Sequence, residues 1–360
     1  MPGFILKRLL YGLLVVFGVL TVVFLLFNVL PGDPARMMLG QRADINSVAA
    51  INKDLGRDKP IFLQYLNFLN DVSPMSIHNC KDDNSFWYLD SSKYMPFISI
   101  ASVSFSKIVI LKIPYLRRSY QSKKKVSEII SEAFPKTFLL AIVSMAFALI
   151  VGIFIGILSA IYKDSYFDHT SLVLSVLGMS LPSFFAAVLF AWIFAYLLAD
   201  FTHLNMVGSL YTVDDFGEGE YLSIKNLILP AVTLGIRPLA VVVELTRSSM
   251  LEVLSQDYIR TARAKGLSNR KVIMAHALKN AMNPVITAAS GWLASLLAGA
   301  VFIEYIFDWK GMGTVIVDAL EKYDFPVVMG CVLFISILLI FINIFVDVIY
   351  GLLDPRIRKN

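Results

Sequence analysis

The run Leu9-Leu10-Tyr11-Gly12-Leu13-Leu14-Val15-Val16-Phe17-Gly18-Val19-Leu20-Thr21-Val22-Val23-Phe24-Leu25-Leu26-Phe27-Asn28-Val29-Leu30 carries no charged side chain and follows the basic pair Lys7-Arg8. A secretory signal has an apolar core of about 7–15 residues and a small-residue cleavage site. This run is longer, and it ends at Leu30-Pro31-Gly32-Asp33-Pro34, a helix stop without such a site. About 20 apolar residues, each rising about 1.5 Å, cross about 30 Å of hydrocarbon. The run is therefore expected to be a retained membrane anchor.

Five further apolar runs lie near Thr137–Ile161, Ser171–Ala199, Leu227–Leu245, Pro284–Ile306 and Val327–Tyr350. With the anchor they predict an all-α, polytopic membrane protein of six transmembrane helices. Composition agrees: 57% of residues are hydrophobic and 16% charged, against roughly a quarter charged in a soluble domain. The stretch from Pro96 to Pro114 is a seventh candidate, but Lys107 and Lys112 interrupt it. A lysine near mid-bilayer costs about 2.5–3.5 kcal/mol on insertion scales, so this stretch is placed outside the membrane. The basic residues sit in short clusters beside apolar runs rather than on a separate basic domain, which excludes a nucleic-acid partner. Cys80 lies in a polar stretch and Cys331 in an apolar one, so no disulfide framework or metal site is implied.

Lys and Arg in short loops mark the cytoplasmic side. From Arg247 to Lys279 the chain carries Arg247, Arg260, Arg263, Lys265, Arg270, Lys271 and Lys279 against Glu252 and Asp257. This segment is expected in the cytoplasm, as are both termini, bearing Lys7-Arg8 and Arg356-Ile357-Arg358-Lys359. Residues 200–226 and 307–326 are acid-rich and are expected outside. Three parts follow: an anchor helix, 1–30; an extracytoplasmic insert, 31–131; and a five-helix core, 132–360. The insert's charge, aromatic residues and β-branched residues suit a small folded domain. Lys123-Lys124-Lys125 does not upset the topology, because long loops translocate largely regardless of charge.

Residues 251–283 hold the most informative pattern. Leu251 to Ser268 reads as a short helix stopped at Gly266, the residue best able to take the left-handed conformation. Ser268 or Asn269 then caps a second helix from about Arg270 to Met282 that ends near Pro284. Leu254, Tyr258 and Ala262 fall at i, i+4 and i+8, giving a narrow apolar stripe among charges. A cytoplasmic helix–turn–helix with one apolar stripe suits docking to a protein; the alternative is an amphipathic loop on lipid headgroups.

The run Asp257-Tyr258-Ile259-Arg260-Thr261-Ala262-Arg263-Ala264-Lys265-Gly266, with His276-Ala277-Leu278-Lys279-Asn280-Ala281 and Pro284, resembles the EAA loop of ABC-importer permeases in its dipeptide, oligopeptide and nickel form. The resemblance extends over almost the whole chain. It includes Leu30-Pro31-Gly32-Asp33-Pro34-Ala35, Arg118-Ser119-Tyr120, Gly178-Met179-Ser180-Leu181-Pro182-Ser183-Phe184 and Glu304-Tyr305-Ile306-Phe307 leading to Gly311-Met312-Gly313. Asp324-Phe325-Pro326, Asp347 and the ending Leu353-Asp354-Pro355-Arg356 continue it, and the first residues and this ending resemble the first of the family's two permease subunits. Departures are local: Arg260-Thr261-Ala262 stands for Glu-Ala-Ala, Glu244 for a basic residue, Lys310 for a proline, and residues near 75–115 match poorly.

The resemblance implies the type I ABC-importer permease fold in the bacterial inner membrane. It implies partnership with a second permease subunit, two ABC ATPase subunits and an extracytoplasmic solute-binding protein, within membrane lipid. The ATPase-coupling residues it implies are Asp257, Tyr258, Arg260, Ala262, Ala264, Gly266 and His276. The solute would be a dipeptide, an oligopeptide or a related small solute such as nickel. No catalytic residue is expected: no G-x-x-x-x-G-K-[ST] run cradles phosphate, so ATP would be used by partner subunits and no cofactor or metal bound by this chain. Intramembrane charges often mark function. Arg237 is expected mid-span, facing a water-filled path or clustering with Glu244 and Arg247. Glu304 and Asp347 lie near span ends, where they are expected to snorkel to the interface.

Overall fold

The structure is a computed structural model and describes residues 2–28, 59–80, 85, 87–104, 106–213 and 219–353. Among them, five helices are long and apolar enough to cross a membrane, and a sharply bent pair makes a sixth. The Pro31-Gly32-Asp33-Pro34 stop and the Asp354-Pro355-Arg356 ending lie outside the described residues. The chain divides into two compact units, Met1–Glu132 with Val315–Phe341 and Ala133–Thr314 with Ile342–Asn360.

In the first unit the anchor is the helix Pro2–Asn28. Leu10, Leu13, Leu14 and Phe17 stay exposed, as hydrocarbon solvent requires. Val23 and Phe24 instead pack on Phe68 and Val72 of the helix Ile61–Val72, and on Met329 and Leu333 of the helix Phe325–Leu353. The Thr21 and Tyr65 hydroxyls meet at 2.6 Å. Three antiparallel strands follow, β1 (Met75–Asn79), β2 (Phe97–Ser104) and β3 (Lys107–Lys112), in the order β1-β3-β2. The stretch that hydropathy offered as a seventh span is thus a β-hairpin. Its β-branched and aromatic residues favour a pleated surface.

The covered face of this sheet sets Ser76, His78 and Lys112 beside the fully buried Ile110. Tyr94 donates to Asp71 Oδ1 at 2.6 Å, and Lys112 Nζ donates to the Asp71 carbonyl at 2.8 Å. That ammonium lies 4.2 Å from the centre of the Tyr94 ring, and Ser76 Oγ lies 2.9 Å from His78 Nε2. Burial pushes His78 down to about 4, with help from the Lys112 charge. Burial also lowers Lys112 to about 8, against the opposing pull of Asp71, and raises Asp71 above the usual carboxylate range. Two motifs distant in sequence meet in this unit. Asp324 accepts from Ser119 Oγ at 2.5 Å and from Tyr120 N at 2.9 Å, so Arg118-Ser119-Tyr120 closes on Asp324-Phe325-Pro326.

In the second unit the spans pack through small residues. The helix Val126–Ile161 begins well before Thr137. Its Gly152 and Gly156 are spaced as in Gly-x-x-x-Gly, which lets membrane helices approach closely. A Cβ on Gly152 would sit 2.8 Å from Val242 Cγ1, and one on Gly156 would sit 2.6 Å from Thr246 Cβ. Both targets lie on the helix Lys225–Leu254, which is longer than the Leu227–Leu245 run.

The third span differs from the single run Ser171–Ala199. It starts at Tyr166, and its helices Tyr166–Ser180 and Ser183–Leu197 are bent by 112°. The break falls at Leu181-Pro182, both extended, because proline disfavours helical backbone in the residue before it. The fifth span also differs. Helix runs without a gap from Asn269 to Gly299, through Pro284, and Val301–Ile306 is a separate short helix. The second loop helix therefore does not end near Pro284: a neighbouring-helix environment tolerates the lost hydrogen bond.

Candidate functional site

The loop after the fourth span folds as a helix–turn–helix. The helix Lys225–Leu254 ends at Ser255, the short helix Asp257–Ala264 follows, and Gly266 takes φ +78° before Ser268 opens the next helix without a side-chain cap bond. The expected turn at Gly266 is present, but Leu251–Leu254 belong to the span.

The apolar stripe also falls differently. Leu254, Tyr258 and Ala262 do not form one docking face. The buried residues of the short helix are Ile259 and Ala262, three apart, and they close on Ala160, Met250, Val272, Ala277 and Ala281. Ile259 is fully buried and Ala262 is 7% exposed. Ala262 is small because its helix seats on the protein's own span ends. Ile259 is the only large aliphatic residue in Asp-Tyr-Ile-Arg-Thr-Ala-Arg-Ala, and its i, i+3 relation to Ala262 was the available signal.

The outward face is polar. Asp257, Tyr258, Arg260, Ala264 and Gly266 are exposed, and His276 is half-buried. Arg260 reaches Asp257 at 3.3 Å. The Tyr258 hydroxyl accepts from Asn280 Nδ2 at 3.0 Å, and that amide also donates to the His276 carbonyl at 3.1 Å. This bond ties the two helices of the loop together across the turn.

The intramembrane charges separate. Arg247 does not cluster with Arg237 and Glu244; its Nε and Nη2 grip the two oxygens of Asp168 at 2.5 and 2.6 Å. Asp168 is 1% exposed and also accepts from Asp164 N at 3.0 Å. Ser165 caps that helix by accepting from Asp168 N. The spacing Ser165-x-x-Asp168 resembles a capping box and could have flagged the carboxylate, which sequence reading passed over. Arg237 and Glu244 are exposed, and Arg237 lies 3.5 Å from the Met179 carbonyl.

Glu304 does not snorkel. It is fully buried, and its Oε2 accepts from Gly313 N at 2.6 Å. Around it Met312 N donates to Thr137 Oγ1 at 2.8 Å, and Trp309 Nε1 donates to the Lys136 carbonyl at 3.1 Å. A Cβ on Gly311 would lie 2.5 Å from Glu304 Oε2. Glycine is required there by close approach, and the carboxylate fixes the turn between Ile306 and Met312. The side chain of Asp347 lies outside the described ones. Among the described residues, no group of three His, Cys, Asp or Glu could hold a metal ion.

Residues 152–359 match the family model described as the binding-protein-dependent transport system inner membrane component, and residues 1–85 match the N-terminal model of the same systems. The chain is 35% identical to the dipeptide transport system permease protein DppB of Escherichia coli K12, covering all of both chains. It is 34% identical to the di/tripeptide permease DppB of Pseudomonas aeruginosa, again over the whole of both. It is also 34% identical to the glutathione permease GsiC of Salmonella choleraesuis, over 99% of each. Among solved structures it resembles an inward-facing MetNI methionine ABC transporter, with a TM-score of 0.50 and 15% identity over 63% of this chain and 97% of the other.

Proposed function

The chain belongs to the family of binding-protein-dependent transport system inner membrane components, and from that footing we propose that it is the permease subunit of an ATP-driven importer of dipeptides, oligopeptides or a related small solute. The observation that carries this reading is the loop Asp257–Met282, whose apolar side is seated on the span ends while Asp257, Tyr258, Arg260 and Ala264 face outward. A helix held rigidly on one side and polar on the other suits a groove on another protein.

In this reading the loop docks on a cytoplasmic ATPase subunit, and this chain forms half of the pathway beside a second permease. An extracytoplasmic solute-binding protein delivers the solute. The chain itself hydrolyses nothing and binds no cofactor; ATP belongs to the partner subunits. Both termini and the base-rich loop lie in the cytoplasm, and residues 200–226 lie outside. Transport proceeds by alternating access, because nucleotide shifts the population between outward and inward states.

Reconstitution tests this. The chain co-expressed with its partners is expected to copurify with ATPase subunits in fixed ratio and to drive ATP-dependent uptake of radiolabelled alanyl-alanine into proteoliposomes. ATP hydrolysis by the purified chain alone, or isolation with lipid and no ATPase, overturns the reading.

A further inference from the structure

We propose that the ion pair between Asp168 and Arg247 is the link through which the cytoplasmic loop moves the broken third span. The inference rests on the coupling role proposed for that loop. Arg247 lies near the cytoplasmic end of the fourth span, three residues before Met250, which is fully buried against Ile259 and Ala262 of the loop. Any displacement of the short helix therefore reaches the last turns of that span directly.

The helices Tyr166–Ser180 and Lys225–Leu254 of the third and fourth spans pack against each other. At the break, a Cβ on Gly178 would lie 3.1 Å from Ile236 Cγ2. About ten residues away, or about 15 Å along a helix, Arg247 holds Asp168 by two bonds of 2.5 and 2.6 Å. Along this seam lies an apolar groove of about 280 Å³, lined by Phe167, Thr170, Ser171, Ser175, Leu239 and Val243. The apolar part of that seam is non-directional. The paired fork is fixed in geometry, so it is the directional contact through which the fourth span pulls the helix Tyr166–Ser180.

The second span also holds the fourth, through Gly156 against Thr246, the residue beside Arg247. The break at Leu181-Pro182 gives the pulled helix a place to pivot. Asp168 and Arg247 are positioning residues in this account; neither meets solute or nucleotide.

The test uses the whole complex with Cys80 and Cys331 replaced. Spin labels at Lys265, in the loop, and at Val176, in the third span, are each paired with a reference label at Ile150. Distances are read by electron resonance with and without ATP and vanadate. In the parental complex both distances shift. In Asp168→Asn and in Arg247→Gln the loop distance is expected to shift as before while the Val176 distance stays put, and alanyl-alanine uptake falls at least about tenfold, as loss of one partner of a buried pair allows. The charge-exchanged variant, Asp168→Arg with Arg247→Asp, is expected to regain both. A Val176 shift of parental size in the single variants overturns the link. So does a loss of ATPase copurification in them that the exchanged pair fails to repair, which would make the pair a fold contact only. If neither label moves in the parental complex, the coupling role of the loop is wrong, and this inference falls with it.

Discussion

Acidification is expected to loosen the three-stranded sheet of the insert, and His78 is the reason. The ring is 1% exposed, with Ser76, Tyr94 and Lys112 around it, and burial holds its pKa at about 4 against 6.5 in the unfolded chain. Between those values the unfolded chain binds a proton that the folded one refuses, so stability present above pH 6.5 is lost as pH falls toward 4. From pH 7 to pH 5 the loss covers roughly one and a half pH units, or about 2 kcal/mol at 1.36 kcal/mol per unit. Asp71, raised by burial, contributes with the opposite sign, since a carboxyl that keeps its proton in the fold gains as pH falls. Comparison with His78→Gln cancels that contribution, because Asp71 is common to both chains. Lys112, lowered to about 8, titrates above this window. Hydrogen–deuterium exchange of the β1 and β3 amides reads the effect. After correction for intrinsic rates, the parental amides should gain about 30-fold more exchange between pH 7 and pH 5 than those of His78→Gln, as 1.4 kcal/mol per tenfold requires. Equal pH slopes in the two proteins would refute the reasoning.

Three further outcomes are expected. Ala262→Glu places a charge against Met250, Val272 and Ala281, which costs several kcal/mol, so the loop becomes protease-sensitive even without the ATPase. Tyr258→Ala leaves the fold intact and weakens copurification; reversed behaviour of these two variants would show that Ala262, not the polar face, meets the partner. Gly266→Val meets no atom within 4 Å, so only its left-handed backbone is strained, by about 1–2 kcal/mol. Uptake should fall while membrane insertion is unchanged, and parental uptake would show that the turn is not needed. In a chain whose native cysteines are replaced, Tyr221→Cys should react with an impermeant reagent from outside intact cells and Ser268→Cys only from inside; labelling of both from one side would sink the topology.

The spans were legible because length and charge content act independently of packing: a bilayer imposes about 20 apolar residues on every crossing helix. What sequence could not rank was proline. Pro135, Pro230, Pro238 and Pro284 all lie inside unbroken helices, whereas Leu181-Pro182 divides the third span by 112°. A membrane helix keeps a proline wherever neighbours re-satisfy the freed carbonyl, and those neighbours are tertiary facts. Partners of the buried charges were hidden for the same reason. Arg247 and Asp168 are 79 residues apart, and Glu304 finds its donor only when Gly311 and Gly313 allow the chain to fold back over it.

The loop shows how an apolar stripe can be given the wrong face. An apolar stripe in a charged helix reads as a docking surface when the helix is considered alone, since nothing in its own sequence says what covers it. Here the base-rich loop is short enough that its first cover is the span to which it is tied. Ile259 and Ala262 are buried by Met250 from the preceding span and by Val272, Ala277 and Ala281 from the following one. The residues left exposed include the polar ones, Asp257, Tyr258, Arg260 and Lys265, and the proposed docking would run through them. Contacts of that kind weaken with salt when solvent-exposed, whereas the seat beneath them is apolar and does not. It follows that high salt should release the ATPase from this chain while leaving the Asp257–Ala264 helix in place, a separation that an apolar docking stripe would not permit.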